Sequence, residues 1–229
     1  MVALLIAGCG KRHEDRPVAT RDSVRAGPIG RTDATMNTIA PELEEWVAMW
    51  RTVMPGFEVD SLWGGKHQKW VPERVSKSDS VSASGDDEDA LTFRVLGVPS
   101  PDGRRILYID SYQWIQGGEG GIEAGGEPDS KPVLIDRHAG TEADLEFCGT
   151  TCGFHWGRWL SADRFALGGW SDVGEDGNWK MGSLSIYDVR DSTVTGYVTR
   201  SVPTSDYGRY YAAWQQWLLK RYRETKPRT

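Results

Sequence analysis

Three groups of residues in this 229-residue chain have types and spacings that could do chemistry. The first is Cys148 and Cys152, with His155 just after them and His138 upstream. Such a pair makes a disulfide, a redox couple or half of a zinc site. A thioredoxin-type couple has two intervening residues on a βαβ background, and this pair has three on a different one. Zinc needs four ligands, and neither histidine completes a known spacing. The second group is the acidic, turn-rich run Asp172-Val173-Gly174-Glu175-Asp176-Gly177-Asn178. Its composition suits weak calcium binding, but a solvated loop explains it more simply. The third group is the tryptophans, including Trp63, Trp156, Trp159 and Trp170. Exposed indoles serve as platforms for sugars, and Glu119, Asp172 or Glu175 would then supply the carboxylates of a glycosidase. The binding candidates are therefore Trp63, Trp159, Trp170, Asp172, Glu175 and Asp176.

Several familiar constellations do not occur. The chain has no Gly-x-Ser-x-Gly elbow, no His-Glu-x-x-His and no phosphate-cradling glycine loop. The glycine-rich stretch 117–126 reads as a long hairpin loop. Of the four histidines (His13, His67, His138 and His155), His155 sits between Phe154 and Trp156 and reads as a packed residue. We assign no catalytic residue, no metal ligand and no cofactor from the sequence.

The N-terminus carries an address. Residues 2–7 are apolar and lead into Gly8-Cys9. The run is too short to span a bilayer, which takes about 20 residues. Leu5-Ile6-Ala7-Gly8-Cys9 resembles a bacterial lipobox. That resemblance implies a signal peptide over residues 1–8, truncated of its basic start, and lipid on Cys9. It also implies a flexible tether over 9–38, polar and charged as a solvated linker should be. Gly10, where many retained lipoproteins have Asp, points to the outer membrane facing the periplasm. In such an oxidising compartment the two cysteines left after lipidation, Cys148 and Cys152, form a disulfide as the first reading. Free thiols, a redox pair and a metal pair rank behind it.

Composition sets the frame for the rest. Apolar residues are 38% of the chain, yet there are eleven tryptophans. Large rings need something to bury against, so an ordered Trp-rich body with polar attachments is expected. A net charge of −6 disfavours nucleic acid as a partner. The basic cluster Lys220, Arg221, Arg223, Lys226 and Arg228 reads first as a complement to a helix dipole, and second as a contact for anionic lipid.

The elements that must position these residues begin with a helix over 41–54, carrying Leu43, Trp46, Val47 and Trp50 on one face. A low-complexity acidic loop follows at 76–90. Strands are expected over 91–98, 105–112, 133–136, 145–148, 164–169, 183–188 and 193–200. Ser100-Pro101-Asp102-Gly103 is a turn with a mechanism: Pro presets φ, and Asp and Gly take the later positions. A C-terminal amphipathic helix over 205–223 buries Tyr207, Tyr210, Tyr211, Trp214, Trp217 and Leu218.

Ser100-x-Asp102 and Ser161-x-Asp163 lie 61 residues apart, each before an apolar strand, with later strands ending in Asp136 and Asp188. Pro99-Ser100-Pro101-Asp102-Gly103-Arg104-Arg105-Ile106-Leu107-Tyr108 looks like the repeat of WD40-like, TolB-type propellers. A closed propeller takes at least about four blades of about 40 residues, and this chain has room for two. The expected fold is therefore mainly β with flanking helices: antiparallel blade-like meanders, too short for a propeller, covered by an N-terminal and a C-terminal helix. A single domain spans 39–229. The expected function is an envelope-anchored lipoprotein with a non-catalytic binding or assembly role, with an envelope protein as a possible partner. The alternative is a periplasmic carbohydrate-active hydrolase or glycan-binding protein.

Overall fold

In a computed structural model of the chain, residues 34–72, 74–77, 88–118, 121–126, 128–174 and 176–225 are described. Cys9, His13, Glu119 and Glu175, and most of the expected tether and acidic loop, lie outside them. Two five-stranded antiparallel sheets carry the fold. The first is a meander of β3 (Gly97–Pro99), β4 (Arg105–Tyr108), β7 (Val133–Asp136) and β8 (Thr141–Asp144), with β2 (Arg74–Lys77) on its outer edge. Between β4 and β7 a hairpin of β5 (Gln113–Gly118) and β6 (Gly121–Gly126) is inserted. The second sheet is a meander of β9 (Cys152–Trp159), β10 (Arg164–Val173), β11 (Trp179–Asp188) and β12 (Thr193–Pro203), with β1 (Trp63–Lys69) on its edge. Neither sheet closes into a barrel or propeller. The body is thus mainly β, in two antiparallel meanders flanked by helices.

The two meanders repeat one arrangement. In the first, the Ser100 hydroxyl accepts the Arg105 N–H at 2.9 Å and closes the β3–β4 turn, with Gly103 at φ +69°. In the second, Ser161 accepts the Arg164 N–H at 3.1 Å between β9 and β10. Arg105 then faces Asp136 across β4–β7, and Arg164 faces Asp188 across β10–β11. Each aspartate ends its strand by accepting backbone N–H groups of the following turn: His138 and Ala139 for Asp136, Asp191 for Asp188. A short polar side chain that bonds its own turn is what makes these turns local.

Four expectations are corrected. Residues 91–98 are not a strand. They belong to helix α3 (Glu88–Leu96), followed by the short β3. Leu91, Thr92, Val95 and Leu96 share one helical face, with Thr92, Val95 and Leu96 buried and Arg94 outside. The β-branched and aromatic content suggested a strand, but the Thr92 hydroxyl accepts the Ile115 N–H of β5 at 2.8 Å and the helix packs on that hairpin. The strand expected over 105–112 stops at Tyr108, because buried Asp110 accepts the N–H groups of Tyr112 and Lys131 and the Ser130 hydroxyl. The strand expected over 145–148 is instead β8, a tight hairpin partner of β7, while Cys148 makes only an isolated bridge to Ser130. The single helix expected over 41–54 is broken: α1 (Ala34–Ile39), a 3-10 turn (Ala40–Leu43) and α2 (Glu44–Arg51). Pro41 lies inside that turn, where its ring interrupts regular helical bonding. Helix α1 occupies the last residues of the expected tether and buries Met36 and Ile39.

The C-terminal helix is α4 (Thr204–Thr225), one residue from the expected start and two from the expected end. It lies against the second sheet, α2 and α3. Glu45 on α2 accepts from Trp156 of β9 and from Trp217 and Lys220 of α4. Burial pushes the Glu45 carboxyl up, but the Lys220 and Trp217 hydrogen bonds outweigh it and leave it below the ordinary range. Arg221 is largely buried and donates to the Val95 and Gly97 carbonyls at the end of α3. Lys220 is therefore paired with Glu45 at the surface, and Arg221 is committed to the end of α3.

Candidate functional site

An aromatic layer lies between the second sheet and the helices α2 and α4. Sequence dictates its shape through small residues on the sheet and large ones above it. Gly182 of β11 sits under Trp50, and Gly168 of β10 sits under Trp46. A Cβ at Gly182 would come within 2.7 Å of Trp50 Cε2 and 2.8 Å of Thr199 Cγ2, so no larger residue fits without displacement. The rings bury almost completely and pack edge to face, with Trp46 and Trp50 centroids 6.4 Å apart.

His155 enters this layer from a β-bulge. Gly168 pairs with Trp156 and Gly169 with Phe154, so His155 is the extra residue on β9. The bulge turns its ring toward α4, where it stacks on Trp214 at 4.3 Å and on Tyr210 at 5.8 Å. Burial, with a smaller contribution from the Lys180 charge, pushes His155 down to about 3. At neutral pH it is therefore an uncharged ring and a poor base. Tyr210 and Tyr207 are held protonated by burial, with pKa values far above the usual phenol range.

Two of the sequence candidates meet at the open end of the layer. Trp170 and Asp172 lie on β10 opposite Gly182 and Lys180. Lys180 is nearly buried. Its ammonium donates to Asp172 at 2.5 Å and stands 3.8 Å above the Trp170 ring and 5.1 Å from that of Tyr207. An ammonium over a desolvated indole gains a cation–π attraction beyond the ion pair. Tyr211, expected to be buried, is 36% exposed at the edge of this layer, its ring 5.0 Å from that of Trp214.

One property separates this layer from the rest of the body. Among the described residues, seven buried side-chain nitrogen or oxygen atoms have no hydrogen-bond partner. They belong to Trp46, Trp50, His155, Trp170, Tyr207, Tyr210 and Trp214, all in this layer. Native interiors pair most such groups, with protein or with ordered water, so the layer concentrates the polar atoms that this packing leaves without a protein partner. Its chemistry is that of neutral donors and flat rings with one internal ion pair.

The other candidates disperse. Trp159 is buried on β9 and donates to the Val98 carbonyl at 2.8 Å, which joins the two sheets. Trp156 is buried and donates to Glu45. Neither ring is a platform for a sugar. Trp63 stays 42% exposed on the edge strand β1. Asp176 is occupied locally by Asn178, which holds its carboxyl below the ordinary range. Cys148 and Cys152 are joined as a disulfide, Cα atoms 5.7 Å apart, so neither sulfur is a free thiolate. Among the described residues no group of three or more His, Cys, Asp or Glu side chains is placed to hold a metal ion. Sequence reading missed Lys180, Tyr207 and Tyr210 as members of one site with His155. Their convergence depends on the register of β10 with β9 and β11, which no local run of residues announces.

No protein-family model, no curated protein and no solved structure matches this chain.

Proposed function

We propose that this chain is an envelope-anchored lipoprotein, held by lipid on Cys9, whose two-meander body has a non-catalytic binding or assembly role. The observation that carries the reading is the Cys148–Cys152 disulfide. Disulfides persist in oxidising compartments outside the cytoplasm. The chain has three cysteines, so the bond leaves Cys9 alone, at the end of Leu5-Ile6-Ala7-Gly8. Among the described residues no helix is long and apolar enough to cross a membrane, and lipid on Cys9 supplies the attachment. Multiple acyl chains give a stable anchor where one chain binds only marginally.

The non-catalytic part of the reading is supported by the chemistry of the aromatic layer. His155 is neutral, both buried phenols are protonated, and Asp172 is spent on Lys180. Proton transfer in catalysis calls for a group poised near the working pH, and neither the imidazole nor the two phenols are. The test is fractionation of cells expressing the wild type or Cys9→Ser. Wild-type protein is expected in the membrane pellet with incorporated fatty acid, and the variant in the soluble fraction without it. Equal partition of the two would overturn the anchor.

A further inference from the structure

The edge strands β1 and β2, with Trp70, Val71 and Pro72 after β1, form a rim whose chemistry is unlike the rest of this acidic protein. The sequence over 63–77 has four Lys or Arg against one Glu, in a chain of net charge −6, and the described cationic side chains among them are Lys69 and Lys77. The rim also holds two strongly exposed valines and a half-exposed tryptophan. Val71 is 78% exposed, Val75 62% and Trp63 42%. Lys69 and Lys77 are exposed beside them. On the adjoining strand β8, Glu142 accepts from Ser76 of β2, and Asp144 pairs with Lys131 at 3.4 Å.

We propose that this rim is a membrane-contact surface for anionic lipid headgroups. Three observations converge on that occupant. Cations on the rim complement a negatively charged leaflet, and each Lys or Arg near such a surface adds to binding. A tryptophan with neighbouring valines matches the headgroup boundary, where indoles sit and short aliphatic side chains insert. An acidic soluble partner would account for the cations but not for Val71 standing clear of the body. Finally, the chain enters the body beside this rim. The 33 residues before Ala34 lead into α1, which packs on the 3-10 helix Val59–Ser61, two residues before Trp63. The end of the described chain that leads back toward Cys9 therefore lies on the same side of the body as the rim. The inference rests on the envelope reading for its context, but its test does not need the lipid.

The full chain carrying Cys9→Ser is mixed with vesicles of phosphatidylcholine alone or of phosphatidylcholine with phosphatidylglycerol, and sedimented. Binding is expected to the phosphatidylglycerol vesicles only, and to fall as salt rises. Lys69→Glu with Lys77→Glu is expected to weaken it by at least about tenfold. Val71→Ser with Val75→Ser weakens it without changing its salt dependence. The same charge reversal placed on α4, Arg209→Glu with Arg223→Glu, leaves it in place. All these positions are on the surface, and circular dichroism checks that each variant keeps its fold. Equal binding to both vesicle types, no binding to either, or rim variants that bind as the parent does would overturn the proposal. Loss of vesicle binding with fatty acid still found on wild-type Cys9 sinks the rim alone. Vesicle binding with no fatty acid on Cys9 sinks the anchor alone.

Discussion

The Arg105 guanidinium, at the start of β4, donates to the Asp163 carboxylate, in the turn before β10, at 3.0 Å. It also reaches the Ala162 carbonyl at 3.2 Å and stands 3.6 Å from Asp136 of its own sheet. One side chain thus reads the Ser-x-Asp turn of the second meander from the matching position of the first. Arg190 completes the cluster by donating to the other Asp163 oxygen at 2.6 Å, from a largely exposed position.

The difference in exposure predicts a rank order. The Arg105 side chain is 13% exposed and that of Arg190 is 76% exposed. Exposed ion pairs contribute little, whereas removing one partner of a shielded pair strands the other. Arg105→Met is expected to lower the melting temperature clearly more than Arg190→Met does. Thermal denaturation followed by circular dichroism measures both, and equal shifts would contradict a bridging role for Arg105.

Stability should depend on pH through His155. Its pKa is about 3 in the folded body and 6.5 when exposed, so the unfolded chain binds the extra proton between those values. Stability is complete above about pH 6.5 and falls as pH drops toward 3. By pH 5 the loss is about 2 kcal/mol. Urea midpoints across this range measure it. His155→Phe keeps a flat ring between Tyr210 and Trp214 and removes the titration, so its pH slope should be smaller. A wild-type slope no steeper than the variant's would count against a buried neutral imidazole.

The Cys148–Cys152 disulfide closes a short loop, with a sequence separation of 4. The chain-entropy relation assigns such a loop about 2 kcal/mol. Reduction, or Cys148→Ser with Cys152→Ser, should lower the unfolding free energy by about that much. Denaturant melts with and without reductant report it directly.

The aromatic layer also makes a steric prediction. Gly182→Ala forces a methyl against Trp50 and Thr199, and overpacking of this kind costs about 1–3 kcal/mol. Gly196→Ala, on the neighbouring strand, meets nothing within 4 Å and should be neutral or slightly stabilising. If both variants melt alike, the close approach of Trp50 to the sheet is not as described.

Much of this architecture was legible because its signals are local. The Ser100 and Ser161 turns are written in four or five consecutive residues, and their bonds close within those residues. Strand β7 and helix α4 carry clear periodicity and were placed closely. Helix α3 was misread because Leu91, Thr92, Phe93 and Val95 have strand-like types, and only the distant Ile115 backbone selects the helix. The candidate site was legible in parts. Trp170 and Asp172 stood out by type. Their convergence with Lys180, His155 and Tyr210 depends on sheet register and on one bulged residue, and neither has a local signature.

The central claim concerns Cys9, and an intact mass of the detergent-extracted protein tests it most directly. The account predicts a mature chain that begins at Cys9, carries acyl chains on that residue and retains the Cys148–Cys152 bond. A chain that keeps residues 1–8 with an unmodified Cys9 thiol would contradict it.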